Sequence, residues 1–134
     1  MPDRTSSRSL SGKLGLAPGM KVKLIGAPAE YLSWIDHYTS LVYTDTPPFD
    51  FVHLFVNEIE VLEDTLVILR KQIAQNGMVW VSWYKRTSGF PSQLTEDIIR
   101  ETCLPLGFVD IKVCAVSDQW SGLKLVIRKS ERNK

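Results

Sequence analysis

Residues 20–28 read MKVKLIGAP. Val22 and Leu24 alternate with Lys21 and Lys23, the two-residue period of a strand. The run stops at Gly26-Ala27-Pro28, where Pro28 suits the first turn of a following helix. A strand that passes through a small-residue turn into a helix opens a βα unit, and a series of such units builds a parallel sheet. The two lysines argue against complete burial of this strand except at its entry end. Upstream, Ala17-Pro18-Gly19 is a turn signal. The segment before it, MPDRTSSRSLSG, has the single leucine Leu10 and cannot bury enough apolar surface to offset its ordering entropy.

Downstream the pattern repeats. A short helix carries Tyr31, Leu32 and Ile35, and a brief strand is expected at 41–43. After the break at Thr46-Pro47-Pro48-Phe49-Asp50 comes FVHLFV at 51–56, a continuous apolar run of the kind buried on both faces of a parallel sheet. Ile59, Leu62, Leu66, Leu69 and Ile73 then recur at steps of three and four, predicting a helix with Asn57 as cap, Glu60 completing a capping box, and Asn76-Gly77 as the stop. Met78–Trp83 reads as a strand and 85–93 as a loop. Thr95, followed by Glu96 and Asp97, opens a helix through Cys103 that Leu104-Pro105-Leu106-Gly107 closes. Strands at 108–116 and 123–127 around a turn at 117–122 complete an α/β sandwich with a mainly parallel sheet and a terminal hairpin.

The chain has 134 residues, 44% hydrophobic and 23% charged, enough for one core and too few for two ordinary domains. One domain is expected over 14–128, flanked by a disordered basic tail at 1–13 and a basic tail at 129–134. Residues 1–13 and 128–134 carry +2 and +3, leaving −4 on residues 14–127, with 9 basic against 13 acidic residues, which argues against nucleic acid as a partner. No apolar stretch approaches the roughly 18 residues of a membrane span, and positions 1–12 lack the apolar core of a secretory signal, so a cytoplasmic location is expected. Cys103 and Cys114, without a CxxC pattern or a histidine at ligand spacing, read as buried thiols, and no metal site is expected.

In an open parallel sheet, ligands settle beyond the carboxyl ends of the strands, where loops and helix N-termini converge. That edge collects Gly26–Pro28, Val56-Asn57 and Tyr84-Lys85-Arg86. If 108–116 runs parallel to these strands, the turn Asp118-Gln119-Trp120-Ser121-Gly122 joins them. The candidate ligand-binding residues are Gly26, Pro28, Lys85, Arg86, Asp118, Trp120, Ser121 and Lys124, with Lys124 a potential partner of Asp118. Cationic, hydroxyl and aromatic groups in this set suit a small anion. The same residues also have ordinary roles, Trp120 packing over the sheet end and Asp118 making the turn. His53 and Asp50 are expected on opposite faces, which leaves His53 a hydrogen-bonded core residue. His37 beside Asp36 reads as a surface residue.

Leu16–Gly26, Phe49–Val56, Asn76–Trp83 and Gly107–Ile127 resemble the first, fourth, fifth and closing strands of the class I methyltransferase fold, which binds S-adenosylmethionine. The resemblance implies a three-layer Rossmann-like, methyltransferase-like α/β fold, its mainly parallel sheet shortened between the first and fourth strands. More closely, Gly26-Ala27-Pro28, Asp50-Phe51-Val52, Trp80-Val81-Ser82-Trp83, Thr95-Glu96-Asp97 and the stretch from Asp118 to Lys124 resemble a family of small bacterial proteins known as a domain of unknown function. That likeness implies a bacterial source and no particular activity.

The chain departs from the methyltransferase pattern in its first loop, which keeps one glycine where that fold uses several, and Pro28 removes an amide donor. Only about two dozen residues separate Gly26 from Phe51. A strand and its helix are therefore missing, together with the acid that grips the cofactor's ribose. Glu30 and Asp45 are the two available substitutes, neither at a well-marked strand end. The chain is accordingly expected to be a non-catalytic binding or regulatory module without a cofactor, taking a small anionic ligand, a protein partner or a second copy of itself. The alternative is a small transferase-type enzyme using Lys85, Asp118 and Lys124, one lysine stabilising negative charge and Asp118 acting as base.

Overall fold

The computed structural model describes residues 9–35 and 40–132. Six strands form one sheet in the order β2-β1-β3-β4-β6-β5. The strands are β1 (Lys21–Ile25), β2 (Val42–Tyr43), β3 (Phe49–Phe55), β4 (Ile73–Tyr84), β5 (Phe108–Ala115) and β6 (Trp120–Ile127). The four consecutive strands β2, β1, β3 and β4 are parallel, and β6 runs antiparallel to both β4 and β5. The chain goes from β1 to β2 on one side and returns to β3 on the other, so the strand order reverses at β1. Helices α3 (Ile59–Gln72) and α4 (Glu96–Cys103) cover one face, and the short helices α1 (Leu10–Leu14) and α2 (Tyr31–Trp34) cover the other. This is the expected three-layer Rossmann-like α/β fold with its closing hairpin.

Strand β3 organises both layers. Val52, Leu54 and Val56 enter the core under α3 and α4, with Leu62, Leu66, Leu69 and Ile99. Phe51 and Phe55 point to the opposite side and pack with Leu14, Tyr31, Trp80 and Trp120. A bulge between Phe49 and Phe51 shifts the register against β4, and Asp50 accepts a hydrogen bond from the Lys21 amide at 2.9 Å, fixing where β1 begins. Asp50 and His53 therefore make no pair.

Several boundaries differ from expectation, among them the start of β6 at Trp120, which puts Trp120, Ser121 and Gly122 on the strand and not in the turn expected at 117–122. Helix α3 ends at Gln72, before Asn76-Gly77, and β4 starts at Ile73. Gly77 serves close strand approach instead of a helix stop, because a Cβ there would lie 2.9 Å from the Phe49 carbonyl oxygen. Asn57 does not cap α3. The Ile59 amide instead donates to Gln93 Oε1 at 2.8 Å, from a loop 34 residues further along. In the expected N-terminal tail at 1–13, Ser9 caps α1 through a bond from the Gly12 amide and Ser11 is buried, and Leu14, where the domain was expected to begin, is fully buried with its carbonyl accepting from Trp80 Nε1 at 2.8 Å. The tail expectation for 1–8 and for 133–134 lies outside the described residues, as does the surface reading of His37 and Asp36. Among the described residues, no helix is long and apolar enough to cross a membrane, and no group of three His, Cys, Asp or Glu side chains could hold a metal ion.

His53 is wholly buried between two hydroxyls: Tyr31 Oη lies 2.8 Å from Nδ1 and Ser82 Oγ lies 2.8 Å from Nε2. Both ring nitrogens are thus satisfied in the neutral form, and burial pushes the imidazole pKa down to about 3. A folded pKa below the unfolded value means that the unfolded chain binds the proton first. The stability is therefore complete above about pH 6.5 and is lost as the pH falls toward 3, at a slope of about 1.4 kcal/mol per pH unit. Urea unfolding of the wild type and His53→Gln between pH 7 and pH 4 should show the variant less stable at pH 7 but with a shallower pH dependence, by about one proton. Equal slopes would show that His53 is not held neutral.

Candidate functional site

The carboxyl ends of β1, β3 and β4 and the β5–β6 turn converge at one edge. Hydrogen bonds from the strand ends hold them there. The Val56 amide donates to the Ser82 carbonyl at 3.0 Å, and Asn57 Oδ1 accepts from the Tyr84 amide at 2.8 Å. Beyond β4, the Lys85 amide donates to the Gln119 carbonyl at 2.9 Å, docking the hairpin turn against the Lys85 loop. The Gln93 amide donates to the Asn57 carbonyl at 2.8 Å, so the far end of that loop returns to the same residue.

Aromatic rings continue this edge outward. Trp120 is buried, meets Phe55 edge-on at 4.9 Å and stacks on Tyr84 at 4.1 Å. Tyr84 in turn stacks on Phe90 at 4.9 Å, and Phe90 remains 48% exposed. Beside this row, on the α4 side of the sheet, lies a cleft of about 380 Å³ whose lining includes Trp83, Lys85, Arg86, Phe90, Thr95 and Ser121. This volume sits at the small end of the roughly 300–1,000 Å³ usual for small-molecule sites.

Of the expected ligand-binding residues, Lys85, Arg86 and Ser121 line this cleft, and Trp120 supports its aromatic wall. Gly26 takes φ +71° at the end of β1, where a Cβ would lie 2.8 Å from the Phe55 carbonyl oxygen. Pro28 accepts from the Tyr31 amide at 3.0 Å and so opens α2. Asp118 is exposed at the hairpin tip, and no ion pair holds it among the described residues. Lys124 is in mid-strand opposite Trp80 and Lys112, about 13 Å along β6 from Trp120. It shares a face with Trp120 and Gly122, away from Ser121 and the cleft. The expected group of Lys85, Asp118 and Lys124 does not assemble, because alternation along β6 sends Lys124 to the α1 side near Gly15.

A second feature of the edge escapes periodicity. Strand β2 has two residues, and Asp45 follows just beyond its carboxyl end. Its carboxylate is paired with Lys23 of β1 while 89% of the side chain stays exposed. A shallower hollow of about 260 Å³ runs from Val22 to Leu24 across to Tyr43–Asp45. Glu30, the other acid considered, precedes α2 and makes no capping bond.

No protein-family model matches the chain, and no curated protein sequence matches it. Solved structures do. A Sulfolobus solfataricus protein assigned as a type 11 methyltransferase superposes with a TM-score of 0.67 at 14% identity, covering 97% of this chain and 96% of the other. Magnesium protoporphyrin IX methyltransferase from Synechocystis, with bound S-adenosylmethionine, gives 0.57 at 13% identity over 88% and 74%. The 1,6-didemethyltoxoflavin-N1-methyltransferase of Burkholderia thailandensis, with substrate and S-adenosylhomocysteine bound, gives 0.57 at 10% identity over 93% and 79%. At these identities the likeness establishes the methyltransferase fold. It also corrects the expectation of a non-catalytic module, since these neighbours are methyltransferases and two hold the cofactor or its product. The glycine count that motivated the expectation loses its force as well, because the position at positive φ in the first loop is itself a glycine.

Asn57 is the keystone of this edge. Removing its side chain leaves the partly buried Tyr84 amide without an acceptor, a loss of about 1–3 kcal/mol. Urea unfolding should show that deficit for Asn57→Ala and largely restored stability for Asn57→Asp, which keeps an acceptor oxygen.

Proposed function

We propose that the chain is a small group-transfer enzyme of the methyltransferase kind, with a cofactor edge at β1 and β2 and an acceptor cleft beyond β4. The observation that carries this reading is the convergence of Gly26, Asp45 and the Lys85–Ser121 cleft along one carboxyl edge of the sheet. The structural likeness spans nearly the whole of the Sulfolobus protein and supports the same reading. Kinship with the small bacterial family resembled in sequence belongs to it too, supported by the motifs alone.

The groups at the edge fit S-adenosylmethionine in kind. Asp45 offers an exposed carboxylate to a ribose diol, with Lys23 holding it in place. The amides of Ala27 and Ala29 make no hydrogen bond within the described chain, leaving donors for a carboxylate, although Pro28 withdraws one amide from that series. When bound, held by Asp45 and the amides of Ala27 and Ala29, S-adenosylmethionine would supply an electrophilic methyl on a sulfonium to an acceptor in the cleft. The chain's own part is positional. Gly26 keeps the first loop against the end of β3, and the Asn57 bonds hold the β3 and β4 ends together. The Lys85–Gln93 loop, with Trp83 beneath it, forms the cleft in which the acceptor is oriented.

Binding tests this directly. S-adenosylhomocysteine at ~100 times its dissociation constant should raise unfolding free energy by about 2.7 kcal/mol. Asp45→Asn, an exposed change that leaves the fold intact, should weaken that binding about ten-fold. An unchanged melting curve with both S-adenosylmethionine and S-adenosylhomocysteine would overturn the reading.

A further inference from the structure

We infer that the cleft beyond β4 selects a planar aromatic compound bearing an anionic group, which makes such compounds the acceptor class. As a statement about the acceptor, this rests on the transfer reading above. As a statement about the ligand of the cleft, it rests on the cleft's own shape and charge.

The first observation is the stacked row. Phe90, Tyr84 and Trp120 lie ring on ring, at 4.9 and 4.1 Å and within 30° of parallel. At the inner end Trp120 meets Phe55 at 86°, which closes the row. At the outer end Phe90 reaches the cleft with 48% of its surface exposed. A flat guest therefore extends the row only at Phe90, where it removes apolar surface of both partners from water.

The second observation is charge. Lys85 and Arg86 line the cleft, and neither makes an ion pair among the described residues. Glu96 also lines it, its carboxylate held at 2.7 Å by Arg100, which it shares with Asp97 and Asp110. Glu96 makes no ion pair with either cation, and Asp118 lies outside the lining. Two cations without an ion-pair partner among the described residues, beside an exposed ring, suit an anion carried on an aromatic frame better than either feature alone. In a body of net charge −4 the pair is also a local exception.

Isothermal titration of the full chain with 1-naphthoate, 1-naphthamide and cyclohexanecarboxylate separates the two features. Naphthoate should bind about ten-fold more tightly than either of the others, and its advantage over the amide should shrink with added salt. In the double variant Lys85→Gln, Arg86→Gln, naphthoate should fall to the level of the amide. In Phe90→Ala it should fall to the level of the aliphatic acid. All three side chains are at least partly exposed, and circular dichroism checks that the variants fold. Equal binding of naphthoate and naphthamide, unchanged binding in the double variant, or no binding of any probe would overturn the inference. S-Adenosylhomocysteine titrated alongside keeps the two readings apart. Naphthoate binding without it would leave the ligand class standing and remove methyl transfer, and the reverse result would remove the ligand class alone.

Discussion

The central constraint on this molecule is that β3 is buried on both faces while the described residues offer a full helical cover for only one. Helices α3 and α4 supply 14 and 8 residues to their side, whereas α1 and α2 supply 5 and 4 to the other. Side-chain bulk makes up the missing thickness. Tyr31, Phe51, Phe55, Trp80 and Trp120 fill the thin layer, and Trp80 hydrogen-bonds through its indole nitrogen to the end of α1. Large rings cover area with few rotatable bonds, so they cost less ordering entropy than flexible side chains of similar reach. His53 belongs to the same solution. It stacks on Phe55 at 4.3 Å and is tolerated in the core because Tyr31 and Ser82 satisfy both of its nitrogens.

The thin layer bears on function through Trp120, which belongs at once to the core and to the row of rings that emerges at the carboxyl edge. Phe55 fixes its inner side and Tyr84 its outer side, so the wall of the cleft inherits its orientation from the core. Asn57 does the same for the backbone, accepting from Tyr84 with its side chain and from Gln93 with its carbonyl. A cleft whose walls are anchored this way is preorganised, and less of the binding energy is spent on ordering the loop.

Much of the sheet was legible in the sequence because its signals are local. The continuous apolar run of β3, the alternation of β1 and the Thr95 cap of α4 each act within one turn or one strand. The misread features depend on partners far along the chain. Asn57-x-x-Glu60 has the form of a capping box, yet Asn57 is drawn to Tyr84 and the helix amide to Gln93. Asn76-Gly77 has the form of a helix stop, yet tight β3–β4 approach claims the glycine. At the candidate site, the edge itself was legible from topology, and so was the place of Lys85, Arg86 and Ser121 along it. Lys124 was misplaced because nearness in sequence to Gly122 was weighed above the alternation that turns it to the other face. Asp45 could not be ranked above Glu30, since a two-residue strand has no period to read.

The first loop shows why counting glycines is a weak guide to what a loop does. A glycine is demanded by a positive φ or by a close approach, and Gly26 meets both demands through the chain's own backbone, at φ +71° and against the Phe55 carbonyl. Its requirement is thus already explained by the joining of β1 to β3, before any ligand is considered. The loss of further glycines removes conformational freedom from Ala27 and Pro28 but does not remove the amides of Ala27 and Ala29, nor the carboxylate beyond β2. A cofactor edge is defined by which donors and acceptors face it. Asp45, two residues past the end of β2, offers a carboxylate at that edge, and its pairing with Lys23 holds it in place.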